Sequence, residues 1–209
     1  MSYYFLEFRF QGNAKIEIKN LIWHINKRFK IFPNKRSIPH ITLIAPFYTN
    51  KETKLVYDFK NVCENHSLVN FSIDGYGTFE KSKVVYIKIY PSKEMLKFRA
   101  ELLEKLKSYC TLNKTDLFSF LGLFKVKKNY TPHVTLAMKV NSHKFSQIKR
   151  YVRNLVEPKY KHNLLRVTLI KNQRIICEYD FLQKKLLNRR EALSKGVWRK
   201  TISLMKNDN

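Results

Sequence analysis

The chain carries two five-residue segments, Pro39-His40-Ile41-Thr42-Leu43 and Pro132-His133-Val134-Thr135-Leu136, that repeat one pattern. The copies agree at four of five positions, and the remaining position exchanges one β-branched residue for another. On a β-strand, residues i and i+2 point to the same face, so each histidine shares a face with its threonine. One His-x-Thr pair indicates little, but two copies with matching flanks, in different halves of the chain, predict one shared site.

The elements around the two copies follow a similar order. The first copy lies among a strand at 3–10, a helix at 13–30, a strand at 39–47, a helix at 51–65 and paired strands at 69–79 and 83–90. The second lies among a helix with Ser92 as its N-cap, a strand at 133–139, a helix at 142–156 and paired strands at 163–170 and 174–181. This approximate duplication predicts an α+β fold with two facing lobes, each built on its own sheet. The aromatic-rich residues 110–130 are predicted to form a loop or short helix that caps a site.

The last part of the chain differs from the duplicated body. We predict one bilobal domain over residues 1–181 and a basic, helical C-terminal extension over residues 182–209. Lysine and arginine dominate this extension, while residues such as Leu186 and Trp198 supply a broken apolar face. Two interpretations stay open: the extension binds RNA or a partner, or it docks on the body as an amphipathic helix.

Positive charge is the most unusual bulk property of the chain. Lysine and arginine number 41 against 16 aspartate and glutamate residues, which gives a formal net charge of +25. Such a surplus favours contacts with a phosphate backbone through counterion release, and it indicates a nucleic-acid partner. A lysine-rich compositional bias is the alternative explanation. The hydrophobic fraction of 44% excludes a disordered chain.

Cysteine usage and hydropathy indicate the compartment. Cys63, Cys110 and Cys177 form no C-x-x-C pair, so the sequence predicts neither a disulfide framework nor a zinc site, but three reduced thiols. No stretch approaches the roughly 18 unbroken apolar residues that a membrane span needs. The alternating N-terminus predicts a first strand rather than a signal peptide. We therefore expect a cytoplasmic monomer without a membrane partner.

Two histidines on opposite sides of a phosphate can divide the proton transfers of a displacement at phosphorus. A neutral imidazole removes a proton from water or a ribose hydroxyl, and a protonated imidazole donates one to the departing oxygen. The threonine hydroxyls are expected to donate hydrogen bonds to the non-bridging oxygens. No step of this scheme needs a metal or other cofactor, and no other cluster of ligands with metal-binding spacing appears in the sequence. The sequence therefore predicts His40, Thr42, His133 and Thr135 as the catalytic residues.

The two motifs, together with Gly75-Tyr76-Gly77-Thr78-Phe79 before the Val84-Val85-Tyr86-Ile87 strand, resemble the 2H phosphoesterases. This family includes the 2′-5′ RNA ligase-like and RNA 2′,3′-cyclic phosphodiesterase proteins, and the resemblance covers residues 3–181. It implies a bilobal, pseudo-twofold fold in which two mostly antiparallel sheets flank a central cleft, with the helices outside. It also implies metal-independent hydrolysis of a 2′,3′-cyclic phosphate or a 2′-5′ linkage, with His133 as the base and His40 as the acid.

Further candidates for substrate binding lie near the motifs. Phe47, Tyr76 and Tyr130 are candidates for stacking on a base, with packing as the alternative interpretation. Some cyclic phosphodiesterases carry arginine where this chain has Met138. Lys139 is a candidate for the phosphate contact instead, and the alternative is that strand alternation turns its side chain away.

Three hypotheses for the substrate follow. The first is an RNA end with a 2′,3′-cyclic phosphate, with reversible 2′-5′ ligation as a side activity. The second keeps the site but assigns it to small nucleotides, such as 2′-5′ oligoadenylates or cyclic oligonucleotides. The third is an RNA-binding protein that keeps the cleft without catalysis.

Overall fold

The computed structural model describes residues 2–31, 38–112 and 130–207 of the 209-residue chain. Most of the predicted cap at residues 110–130 lies outside the described residues. The described part contains nine strands, with the following bounds: β1 Ser2–Arg9, β2 His40–Thr49, β3 Val69–Phe79, β4 Val84–Pro91, β5 His133–Ala137, β6 Lys159–Leu164, β7 Arg166–Lys171, β8 Arg174–Asp180 and β9 Lys185–Asn188. It also contains six helices: α1 Gly12–Arg28, α2 Glu52–Glu64, α3 Lys93–Leu106, α4 Ser142–Arg153, α5 Arg189–Ala192 and α6 Lys195–Asn207.

The strands form two sheets in which every neighbouring pair is antiparallel. One sheet has five strands in the order β2-β1-β7-β8-β9, and the other has four in the order β5-β4-β3-β6. The two strands that carry the repeated motif, β2 and β5, are each an edge strand of their sheet. The predicted α+β class with two sheets is confirmed.

The residues of strand β1 alternate between an apolar face and a polar face of the five-stranded sheet. Leu6 and Phe8 are buried in the core, whereas Glu7 and Arg9 alternate with them and point to the other face. Glu7 pairs with Thr42 and Arg9 pairs with His40 across the β1–β2 ladder. The polar face of the sheet therefore carries the first motif.

The helices bury the apolar faces of the sheets. Helices α1 and α4 pack against the four-stranded sheet, α2 packs against β8, and α3 contacts both sheets. Helix α3 begins as the sequence predicts, because the side chain of Ser92 accepts a hydrogen bond from the backbone N–H of Met95. No helix among the described residues is long and apolar enough to cross a membrane.

Two strands of the structure are missing from the sequence prediction. Strand β6 carries exposed lysines and forms a sheet edge, a position where charged residues are common and where apolar alternation is weak. The predicted strand at 163–170 is interrupted at Leu165, because β6 and β7 belong to different sheets. Strand β9 pairs with β8 beyond the expected domain end at residue 181. The division at residue 181 remains a prediction.

The segment after residue 181 also covers a charged cluster on the five-stranded sheet. Arg166 is 2% exposed and donates hydrogen bonds to Asp180 and Glu178. Its guanidinium also donates to the hydroxyl of Thr201 in α6 and stacks on the ring of Trp198 at 5.0 Å. Helix α6 is therefore docked on the polar face of this sheet by a buried charge network.

Candidate active site

The site lies where the edge strands β2 and β5 approach each other. His40 is the first residue of β2 and His133 is the first residue of β5. The hydroxyl of Tyr130, just before β5, donates a hydrogen bond to the carbonyl oxygen of Thr42 at 3.1 Å. The two copies of the motif are thus brought together across the gap between the two sheets.

Both imidazoles are anchored in the same way. Nδ1 of His40 lies 2.7 Å from the carbonyl oxygen of Ile38, and Nδ1 of His133 lies 2.9 Å from that of Thr131. A carbonyl oxygen only accepts, so Nδ1 carries the hydrogen in each ring. Nε2 of each ring is then the nitrogen that can take up or release a proton. The duplication of the sequence thus extends to side-chain orientation.

Aromatic rings surround His133. Its imidazole meets the ring of Phe79 edge to face at 5.0 Å and lies 5.2 Å from the ring of Tyr86. Burial lowers the pKa of His133, and the nearby charge of His40 lowers it further, although the hydrogen bond to Thr131 opposes both effects. The surroundings therefore favour the neutral form of this imidazole.

Gly77 makes room for this aromatic packing. It pairs with Tyr86 across the β3–β4 ladder, and a Cβ atom at Gly77 would lie 2.6 Å from two carbons of the Tyr86 ring. Only glycine allows the ring to lie over the neighbouring strand at this position.

His40 has polar surroundings instead. Its side chain is 38% exposed, and its Nε2 lies 3.8 Å from Oε2 of Glu7. The other carboxylate oxygen of Glu7 lies 3.4 Å from Nε of Arg9. Burial raises the pKa of Glu7, whereas His40 and Arg9 act to lower it. His40, Glu7 and Arg9 thus form one polar group at the start of β2.

The threonines of the two motifs are half-buried on the same faces as the histidines. Thr42 pairs with Glu7, next to the His40–Arg9 pair, and Thr135 pairs with Tyr86. A cavity of about 850 Å³ includes His40, Thr135 and Lys139 in its lining. Three of the predicted residues are therefore brought to one cavity.

The three predicted aromatic residues lie in different surroundings. Phe47 is 0% exposed and packs on Tyr4 in the core, so its ring cannot reach a ligand. Tyr76 pairs with Ile87, which places it on the face opposite His133, and its hydroxyl donates to the carbonyl of Val156. Tyr130 joins the two lobes and lies under the guanidinium of Arg99 at 4.1 Å.

Sequence reasoning missed four residues that contact the motif histidines or their partners. Phe79 and Tyr86 pack on His133, and Glu7 and Arg9 form the polar group beside His40. The alternation of β1 places Glu7 and Arg9 on one face, but only the pairing register shows that this face meets β2. Among the described residues, no group of three or more His, Cys, Asp or Glu side chains could hold a metal ion.

A comparison with solved structures finds chains that are similar to this one. A phosphoesterase superposes with a TM-score of 0.51 at 16% identity, covering 83% of this chain and 92% of that chain. Apo LigT from Escherichia coli gives a TM-score of 0.46 at 16% identity, with 81% and 86% covered. Usb1 from Kluyveromyces marxianus gives 0.45 at 11% identity, with 89% and 97% covered. A comparison with curated protein sequences finds no significant match.

Two antiparallel sheets, with the paired motifs on neighbouring edge strands, form the fold that the resemblance to the 2H phosphoesterases implies. The family model of the 2′-5′ RNA ligase superfamily matches residues 18–175. The chain belongs to the 2′-5′ RNA ligase superfamily. The resemblance drawn from the motifs is thereby confirmed, and membership supports an enzyme that acts on phosphate esters.

Proposed function

We propose that the chain hydrolyses 2′,3′-cyclic phosphate ends of RNA, without a metal, by acid–base catalysis between His40 and His133. The observation that carries this proposal is the matched anchoring of the two imidazoles, which leaves one Nε2 on each edge strand for proton transfer. Reversible 2′-5′ ligation would use the same two groups in the opposite direction.

The different surroundings of the two histidines support different roles. His133, whose pKa is lowered by burial, acts as the base and takes a proton from the attacking water. The water oxygen forms a bond to phosphorus while one ring P–O bond breaks. His40, beside the carboxylate of Glu7, acts as the acid and donates a proton to the departing ribose oxygen. Thr42 and Thr135 donate hydrogen bonds to the non-bridging oxygens, where negative charge increases.

The charge of the chain supports RNA as the substrate. A net charge of +25 attracts a polyanion, and the cavity that includes His40 is also lined by Lys30, Lys139 and Lys144. Phosphates beyond the terminal one can contact these lysines. This arrangement favours RNA over a small nucleotide that carries a single phosphate.

Single substitutions of the two histidines test the proposal. His40→Ala and His133→Ala should each lower kcat for a cyclic phosphate-ended oligonucleotide by about 100- to 10,000-fold, the usual contribution of a general acid or base. His143→Ala, on α4 and exposed, is the matched control and should retain full turnover. Turnover that persists in both motif variants would contradict the proposal. If the unmodified chain binds RNA but turns over no cyclic phosphate, the hypothesis of an RNA-binding protein without catalysis would be favoured instead.

The conditions of the assay separate the remaining alternatives. Turnover should be unchanged by EDTA, because no step requires a metal ion. For long RNA, kcat/KM should fall steeply between about 50 and 200 mM salt, whereas a mononucleotide should be much less sensitive. Preference for 2′-5′ oligoadenylates or cyclic oligonucleotides over RNA ends would assign the site to small nucleotides.

A further inference from the structure

A second cavity, of about 420 Å³, lies beside the proposed site at the end of β1. Its lining comes from the β1–α1 junction, the β6–β7 connection and α6, and includes Arg9, Gln11, Asn13, Leu165, Trp198 and Ile202. It contains neither motif histidine, so it is distinct from the cavity that includes His40.

Arg9 connects this cavity to the proposed site. It lies opposite His40 in the β1–β2 register, and neighbouring strands are about 4.8 Å apart. Its Nε is buried and ion-paired to Glu7 at 3.4 Å, without hydrogen-bond geometry. Glu7 in turn approaches Nε2 of His40. Arg9 therefore lines the cavity and stands one strand away from His40.

Helix α6 forms a wall of this cavity and lies outside residues 18–175, which match the family model. The helix is held in place because Thr201 contacts both Arg166 and Asp180 beneath it. Trp198 is only partly buried, and its ring stacks on the Arg166 guanidinium. The wall is thus a fixed aromatic surface rather than a loose tail.

The chemistry of the lining suits a flat heterocycle better than a bare phosphate. Trp198 offers an aromatic ring, Leu165 and Ile202 offer apolar contact, and the amides of Gln11 and Asn13 both donate and accept hydrogen bonds. Single-stranded RNA is recognised by this combination of stacking and hydrogen bonds to base edges. The volume lies in the range of small-molecule sites.

We propose that this cavity binds a nucleobase of the substrate whose phosphate lies between His40 and His133. The identification of the ligand as a base of an RNA end rests on the proposed function. The C-terminal helix then contributes to substrate selection, because it forms one wall of the base site.

A substitution that fills the cavity provides the kinetic test. Ala14 lines the cavity at the start of α1, and Ala14→Phe should occupy the space of the base. The substrates are a nucleoside 2′,3′-cyclic phosphate and 1-O-methylribose 2′,3′-cyclic phosphate, which has no base. The ratio of their kcat/KM values should fall by about tenfold, the effect of losing one base–aromatic stack. Ile16→Phe, on the same helix but 58% exposed, should leave the ratio unchanged.

A binding measurement separates this inference from the proposed catalysis. The chain has two tryptophans, and Trp23→Phe leaves Trp198 as the only one. Titration of this variant with adenosine and uridine should quench its fluorescence, and Ala14→Phe or Gln11→Ala should weaken the quenching. Quenching by the nucleosides without any turnover of the cyclic phosphates would refute the proposed function but not the base site. Unchanged fluorescence, or equal effects of Ala14→Phe on both kinetic substrates, would refute the base site.

Discussion

Replacement of Gly77 by alanine tests whether the aromatic packing around His133 controls turnover. The added Cβ would lie 2.6 Å from Cε2 and Cζ of Tyr86 and 2.8 Å from its hydroxyl oxygen. Ordinary contacts begin at 3.4 Å, so the ring must move by about 0.8 Å. Tyr86 lies only 4.4 Å from the ring of Phe79 and 5.2 Å from that of His133, so this movement reaches the imidazole.

The expected size of the effect follows from that displacement. Extra volume in a well-packed region costs about 1–3 kcal/mol, and a catalytic group displaced by about 1 Å loses about 100-fold in rate. Gly77→Ala should therefore lower kcat/KM for a nucleoside 2′,3′-cyclic phosphate by about 10- to 100-fold. The melting temperature, measured by circular dichroism, should fall by about 2–10 °C.

Two controls show whether the ring causes the loss. Gly196→Ala adds a methyl group whose nearest neighbour is the Ser194 hydroxyl at 3.6 Å, an ordinary contact, and it should leave kcat/KM unchanged. Tyr86→Val removes the atoms that the new Cβ would meet. In that background Gly77→Ala should cost almost nothing further, because the two changes are coupled through one contact. An equal loss in both backgrounds would refute the reasoning.

Three other substitutions test stability and protonation. Arg166→Met leaves the buried carboxylates of Glu178 and Asp180 without their partner. Urea denaturation should show that the free energy of unfolding falls by about 3–5 kcal/mol. A loss below about 1 kcal/mol would argue against a buried network. Burial lowers the pKa of His162 below its usual value of 6.5 in the folded chain. As the pH falls below 6.5, the unfolded chain therefore takes up a proton at this residue before the folded chain does, and the folded state loses stability. His162→Phe should weaken that acid dependence of the melting temperature, and an unchanged dependence would contradict the assignment. Tyr86→Leu should expose His133 to water and raise its pKa, which burial lowers. The acid limb of the pH profile of kcat/KM, which reports the pKa of the base, should then move to higher pH. An acid limb that stays in place would contradict the role of Tyr86.

Much of the fold could be predicted because local patterns determine it. The alternation in β2 and β5, the apolar stripe of α3 and the cap at Ser92 are properties of short segments, and the structure has each near its predicted position. Strand β6 could not be predicted in this way, since its lysines are exposed at a sheet edge and its partner β3 is far away in the chain.

The site could be predicted only in part, for a related reason. His40 and His133 belong to a repeat that is visible in the sequence, whereas Phe79 and Tyr86 approach His133 through pairings among β3, β4 and β5. Phe47 is buried in the core with Ile41 and Leu43, but alternation alone could not place it, because two register shifts interrupt the β1–β2 pairing between Thr42 and Phe47.

The duplication of the motif raises a problem that the surrounding residues resolve. Identical backbone anchoring would give two equivalent imidazoles, yet the proposed displacement needs one that is neutral and one that is charged. The difference must come from neighbours that are not part of the repeat. At His133 these are the Phe79 and Tyr86 rings, which exclude water and disfavour charge. At His40 the neighbour is the Glu7 carboxylate, on a strand adjacent only to the first motif, so the proposed division of labour between the two histidines would be set by residues of β1, β3 and β4 rather than by the motifs.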